Sequence, residues 1–315
     1  MYYKSKIMNV IKFRSPCNIN EFVYKKNEII LFIKIINNGI KDKIVYKESD
    51  SISNLHKLLN EKMALFKVKD KEWFWCNIMY QFAKTSALKQ RIKRIDANTL
   101  RPETPKEWLK NPIEWLNNYD ITKVMSQYSN CKKYKYKFIG VFPIDFAIEK
   151  NNTCLYSSVC SINVKEYVSK KIKYIGFITN LDKHNESGSH WTSTFIILDP
   201  ENASYGAHYY DSTVKKTPAY IEIFINRIKK QCLELYPKKE FKITYNKKKH
   251  QRKNTECGVF SMIFQIRWIN FLLNDKNFSK NPDAPKILVA DNNIKDDVMV
   301  LKRSNLFRPN ILTLK

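Results

Sequence analysis

The 315-residue chain carries 56 Lys and Arg against 30 Asp and Glu, a formal charge of +26, with 43% hydrophobic and 13% aromatic residues. That apolar fraction describes a globular protein able to bury a core as one large domain or two, and six glycines and eleven prolines leave no room for a long flexible linker. No apolar run approaches the roughly 18 to 20 residues of a membrane span, and Met1–Lys6 lacks the apolar segment of a signal peptide, so an intracellular protein is expected.

In chain order, Phe22–Lys25 and Ile29–Ile36 suggest a strand pair turning at Asn37-Asn38-Gly39 toward Ile44-Val45-Tyr46. Leu55, Leu58, Leu59 and Met63 recur at helical spacing and predict a helix over 51–65, followed by a longer one over 73–95. The two prolines of Arg101-Pro102-Glu103-Thr104-Pro105 resist helix continuation, and divide an accessory region, 1–105, from a second region, 106–315. Beyond them, 112–128 reads as helical with a break at Asn117-Asn118, and 138–142 as a strand. Asn163 and Glu166 resemble a capping box opening a short helix. Strands are predicted over 174–179, 192–198 and 205–210, the last two joined at Asp199-Pro200-Glu201-Asn202 as a hairpin. Thr217-Pro218 opens a helix running to about 235, a strand covers 240–245, and an apolar helix covers 259–273. The fold class is α+β: a small mixed sheet flanked by helices.

Seven cysteines stand at irregular spacings without a CxxC pair or zinc-ligand spacing, so no metal or other cofactor is expected. Cys154 and Cys160, six apart, read as reduced thiols packing like small apolar residues. Cys257 differs by its setting, Glu256-Cys257-Gly258 at a helix start, where the positive end of the helix dipole favours a thiolate. Gly258 leaves space for the close approach of a substrate backbone. A thiol nucleophile also needs a base, a group that orients the base, and a donor for the developing oxyanion. Among five histidines, His190 stands out by its place in Gly-Ser-His190-Trp191 before an apolar strand; His56, His184, His208 and His250 lack that setting. Asp211 ends Tyr209-Tyr210-Asp211 and could hold the imidazole, and Gln251 lies six residues before Cys257.

The order His…Asp…Gln…Cys resembles the SUMO-protease and adenain superfamily of cysteine peptidases, and within it the proteases of large DNA viruses. The matching text is Asn180-Leu181-Asp182…Gly188-Ser189-His190-Trp191, Tyr210-Asp211-Ser212, and His250-Gln251…Asn254-Thr255-Glu256-Cys257-Gly258. Glu114-Trp115-Leu116-Asn117-Asn118-Tyr119-Asp120-Ile121 is similar to the first helix of that catalytic domain, and Ile294–Met299 to a helix that closes it. The resemblance spans roughly 106 to 310. It implies a catalytic set of His190, Asp211 and Cys257, with Gln251 supplying the oxyanion donor, Trp191 walling the site, and Asn180 beside it. It further implies cleavage after small residues, of Gly-Gly or Gly-Ala type, in a viral polyprotein or core precursor during virion maturation. The place of action would be the host cytoplasm and the virion core. A protease acting on host SUMO or ubiquitin conjugates would use the same chemistry. A basic core protein with an inactive protease fold is the non-enzyme alternative. The charge, with Lys247, Lys248, Lys249, Arg252 and Lys253 flanking Gln251, would suit association with DNA.

Overall fold

The computed structural model describes residues 13–150, 153–275, 277–290 and 294–310. Met1–Lys6, read above for a leader, lies outside them. The chain divides into two units, Met1–Leu109 with Ser304–Lys315, and Lys110–Arg303.

In the first unit Lys26–Asn37 is a helix, where β-branched residues suggested a strand. Burial decides it: Ile29, Phe32, Ile33 and Ile36 recur at helical spacing on the buried side, so packing overrides local propensity. Glu28 accepts from the Lys25 N–H and closes the first turn. Ile52–Lys62 is helical as expected, capped by Ser51, whose hydroxyl accepts from the Asn54 N–H. The pattern over 73–95 resolves into two helices, Trp75–Phe82 and Ser86–Thr99, the second capped by Thr85. These helices share one core, with Tyr24, Leu55, Leu59, Trp75 and Met79 fully buried. Of the described residues, those from Ser304 to Asn310 join this unit, whereas the sequence reading placed them in the 106–315 region. The cause is Arg308, whose guanidinium donates to both carboxylate oxygens of Asp96 at 2.7 and 2.8 Å, and to Glu103. Its backbone N–H meets Pro102 O and its carbonyl the Thr104 N–H.

The second unit is built on a five-stranded mixed sheet: β1 (Tyr136–Phe142), β4 (Tyr174–Asn180), β5 (Trp191–Ile197), β6 (Gly206–Tyr210) and β7 (Lys242–Tyr245), side by side in that order. A small hairpin, β2 (Glu149–Lys150) with β3 (Thr153–Cys154), stands apart. Pairing is parallel at β1–β4 and β6–β7, antiparallel at β4–β5 and β5–β6. Alternation sends neighbouring side chains to opposite faces. Phe195 stacks on Trp268 of the helix Cys257–Asn274, while Ile196 joins the cluster with Phe224 and Ile228 of the helix Ala219–Leu235. Each face of the sheet is thereby covered. Gly206, with φ of +143°, opens β6 where a Cβ would lie 2.0 Å from Lys242 O, so the parallel neighbour requires glycine there. Asn117 caps the helix Asn118–Ser129, which starts where the break at 117–118 was read.

Cys154 and Cys160 are joined in a disulfide, their Cα atoms 6.2 Å apart, which corrects the reading of reduced thiols. The short helix Ser157–Cys160 folds the chain back and brings them within bonding reach. Among the described residues no helix is long and apolar enough to cross a membrane, and no group of three or more His, Cys, Asp or Glu could hold a metal.

Candidate active site

His190 immediately precedes β5, and Asp211 immediately follows β6. The antiparallel register, with Ser193 opposite Tyr210, sets the start of one strand beside the end of the other. His190 Nε2 lies 2.8 Å from Asp211 Oδ1, with the carboxylate wholly buried. The thiol of Cys257 is close enough to the imidazole to act on its protonation. Since Nε2 faces the carboxylate, Nδ1 is the nitrogen left for sulfur. Burial alone lowers the imidazole's pKa, but the bonds and charges of Asp211 and Cys257 outweigh it and raise it to about 9. Burial likewise opposes ionisation of Asp211, yet the His190 and Thr213 hydrogen bonds hold the carboxyl below its ordinary range.

Thr213 secures Asp211 by donating both its N–H, at 2.7 Å, and its hydroxyl, at 2.8 Å, to Oδ1. Asn246, just past β7, clasps the backbone of Asp211: Oδ1 accepts the Asp211 N–H at 2.9 Å and Nδ2 donates to the Asp211 carbonyl at 2.7 Å. Ser212 O accepts the N–H groups of His250 and Gln251, and the Ser212 hydroxyl donates to Gln251 Oε1 at 2.6 Å. Gln251 Nε2 donates to Lys253 O. A carbonyl can only accept, so the Lys253 contact fixes which end of the amide is nitrogen. An amide nitrogen carries two hydrogens, and Lys253 takes one. Gln251 is itself buried, not a solvated loop residue.

Cys257 is the first residue of the helix Cys257–Asn274 and is buried. A Cβ on Gly258 would meet Leu116 and Trp191 at 3.3 Å, so glycine lets these two side chains pack against the start of the helix. Trp191 donates its indole N–H to Leu116 O at 3.0 Å, and its carbonyl accepts from Ser261. Beside it lies a cavity of about 390 Å³, bordered by Trp115, Leu116, Phe142, Tyr156, Asn180 and Trp191. Asn180 acts on the loop before His190: its Oδ1 accepts the N–H groups of Asp182 and Ser189, and Leu181 N–H closes on His190 O at 2.9 Å.

The remaining histidines are occupied elsewhere. His208 is fully buried between Thr244 and Ser204 O, where burial lowers its pKa to about 4, and His250 bonds Tyr210 and Val289 O. His184 sits 2.6 Å from Asp145 at the cavity, and His56, in the other unit, lies 3.1 Å from Glu72. Trp115, Leu116, Thr213 and Asn246 were not singled out from sequence as site residues. Trp115-Leu116 stood in the quoted helix text, but nothing local announces its partner 75 residues away.

No family model matches the chain. A protein of Acanthamoeba polyphaga mimivirus, named as a thiol protease, is 34% identical over 178 residues, covering 55% of this chain and 52% of the relative. The fold is similar to a crystal structure of an African swine fever virus protease, with a TM-score of 0.58 over 95% of this chain and 96% of that one, at 15% identity. In sequence the chain is similar to viral proteins named as thiol or cysteine proteases, and in fold to a viral protease. A protein of a warthog isolate of African swine fever virus, named a SUMO-1 cysteine protease, is 22% identical over 211 residues, 63% of this chain and 70% of the relative. The chain spans about half the length of the mimivirus relative.

Proposed function

We propose that the chain is a cysteine endopeptidase with Cys257 as nucleophile. The observation that carries this is one imidazole, His190, held by a buried carboxylate 2.8 Å away, with the helix-start thiol of Cys257 close enough to raise its pKa. His190 takes the thiol proton before attack and holds it as imidazolium while sulfur adds to the scissile carbonyl, then delivers it to the leaving amine. Water, activated by the same imidazole, hydrolyses the thioester and frees the cysteine. Asp211 keeps the ring oriented and offsets its positive charge. The Cys257 backbone N–H and the Gln251 amide stabilise the oxyanion.

Cleavage after small residues, at Gly-Gly or Gly-Ala sites in a viral structural precursor cut during virion maturation, is the reading that the viral relatives and the family resemblance support. The name of the swine fever relative favours a second substrate class, SUMO conjugates, which also end in Gly-Gly. A panel of Gly-Gly peptides, precursor fragments and SUMO or ubiquitin conjugates separates the two by relative turnover. Cys257→Ala should abolish cleavage while leaving the melting profile near that of the parent. Retained turnover, or alkylation of another cysteine in place of Cys257 by iodoacetamide, would refute the assignment.

A further inference from the structure

Arg303 is 4% exposed and its partner Glu256 is completely buried, immediately before Cys257. The guanidinium Nε donates to Glu256 Oε2 at 2.8 Å and Oε1 at 3.1 Å, and Nη2 donates to Oε1 at 2.9 Å. A pair this deep adds little to stability by itself, since desolvating both charges offsets much of their attraction. The rest of the guanidinium is directed elsewhere. Nη1 donates to Glu114 O at 2.8 Å and Pro112 O at 3.3 Å, and Nη2 to Ile113 O and Thr255 O, each at 3.3 Å. Three consecutive carbonyls, 112 to 114, are thus gathered onto one side chain some 190 residues away.

The next residues, Trp115 and Leu116, border the cavity beside Trp191. Leu116 O is held by the Trp191 indole, and the Leu116 and Trp191 side chains both abut Gly258, next to Cys257. The contacts close a ring: Arg303 to Glu256, along the chain to Gly258, across to Leu116 and Trp191, and back through Glu114 to Arg303. We propose that Arg303 is a positioning residue that sets the Trp115–Leu116 wall in register with the N-terminus of the Cys257 helix, so that substrate is held at the correct distance from sulfur. The inference rests on the proteolytic reading of Cys257. Arginine suits the task because its planar fork reaches a carboxylate and several carbonyls at once. A lysine ammonium can neutralise Glu256 but cannot span the same acceptors.

The test uses the full chain, with Arg303→Lys chosen to keep the buried carboxylate paired. Turnover of a Gly-Gly peptide, alkylation of Cys257 by iodoacetamide, and thermal melting are measured in parallel. Expected is a fall in kcat/KM of roughly 10- to 100-fold, carried mainly by kcat, with alkylation changed by less than about threefold, because the wall moves and the thiol does not. Combining it with Trp115→Ala should give a loss well short of the product of the two single effects. Multiplicative losses, or alkylation falling in step with turnover, overturn the proposal. If Arg303→Lys does not fold, Arg303→Gln, which keeps two N–H donors, takes its place in the same cycle. A Cys257→Ala control that still cleaves defeats the proteolytic reading instead; an inert control beside an Arg303→Lys variant with parental kinetics defeats this inference alone.

Discussion

Replacing Asp211 by Asn tests the electrostatic core of the site. The imidazole of His190 stands at about 9 against an ordinary 6.5, which corresponds to roughly 3 kcal/mol in favour of the imidazolium. Burial works against that rise, and the hydrogen bonds and charges of Asp211 and Cys257 produce it. An Asn retains an oxygen where Oδ1 accepts from His190 and Thr213, but it carries no charge. It also puts an NH2 group at the place of Oδ2, which is buried and without a hydrogen-bond partner among the described residues. The imidazole pKa should therefore fall by roughly one to two units, the usual scale of one close opposite charge. Stability should drop by about 1 to 3 kcal/mol through the unsatisfied amide. Because the folded value of His190 lies above the unfolded one, its contribution to stability is complete below about 6.5 and disappears as pH rises through about 9. The assay is kcat/KM for a Gly-Gly peptide from acid to alkaline pH. The parent should lose activity as pH passes about 9, and Asp211→Asn at a distinctly lower pH, with a smaller total loss than His190→Ala. An alkaline limb in the same place for both proteins would refute the electrostatic role.

Two further outcomes follow from the geometry. Gln251→Ala should lower kcat by roughly 10²- to 10³-fold with little change in KM, the scale of one lost oxyanion donor, and a kinetically silent variant would move that role to another residue. Gly206→Ala should destabilise the protein by roughly 2 to 3 kcal/mol in chemical denaturation, through a forced φ and a clash with the next strand; a neutral result would contradict the β6–β7 pairing.

The sheet strands and the helix beginning at Cys257 were legible because period and turn chemistry are local. Asp199-Pro200-Glu201-Asn202 between two apolar runs is sufficient to write a hairpin. The helix Lys26–Asn37 was misread because its isoleucines favour strand locally, and only tertiary burial of one face selects the helix. Candidate residues stood in recognisable text, but the groups that hold them did not. Asn246 grips Asp211 from 35 residues away, and Arg303 reaches Glu114 from 189. Such partners are ordinary polar residues until the fold closes. The Cys154–Cys160 disulfide was missed for a similar reason: six-residue spacing says nothing until the turn between them brings the Cα atoms together.

The loop between β4 and β5 is fastened at its base, with Asn180 paired to Trp191 in the strand register and Leu181 N–H bonded to His190 O. The residues beyond that fastening, including His184, Glu186 and Ser187, face the cavity. Insertions, deletions or exchanges there can remodel what the cavity admits while the imidazole stays where the fastening leaves it. Under the proposed proteolysis, the architecture separates a variable cavity rim from a fixed imidazole, so related chains would diverge in diet without reinventing the reaction.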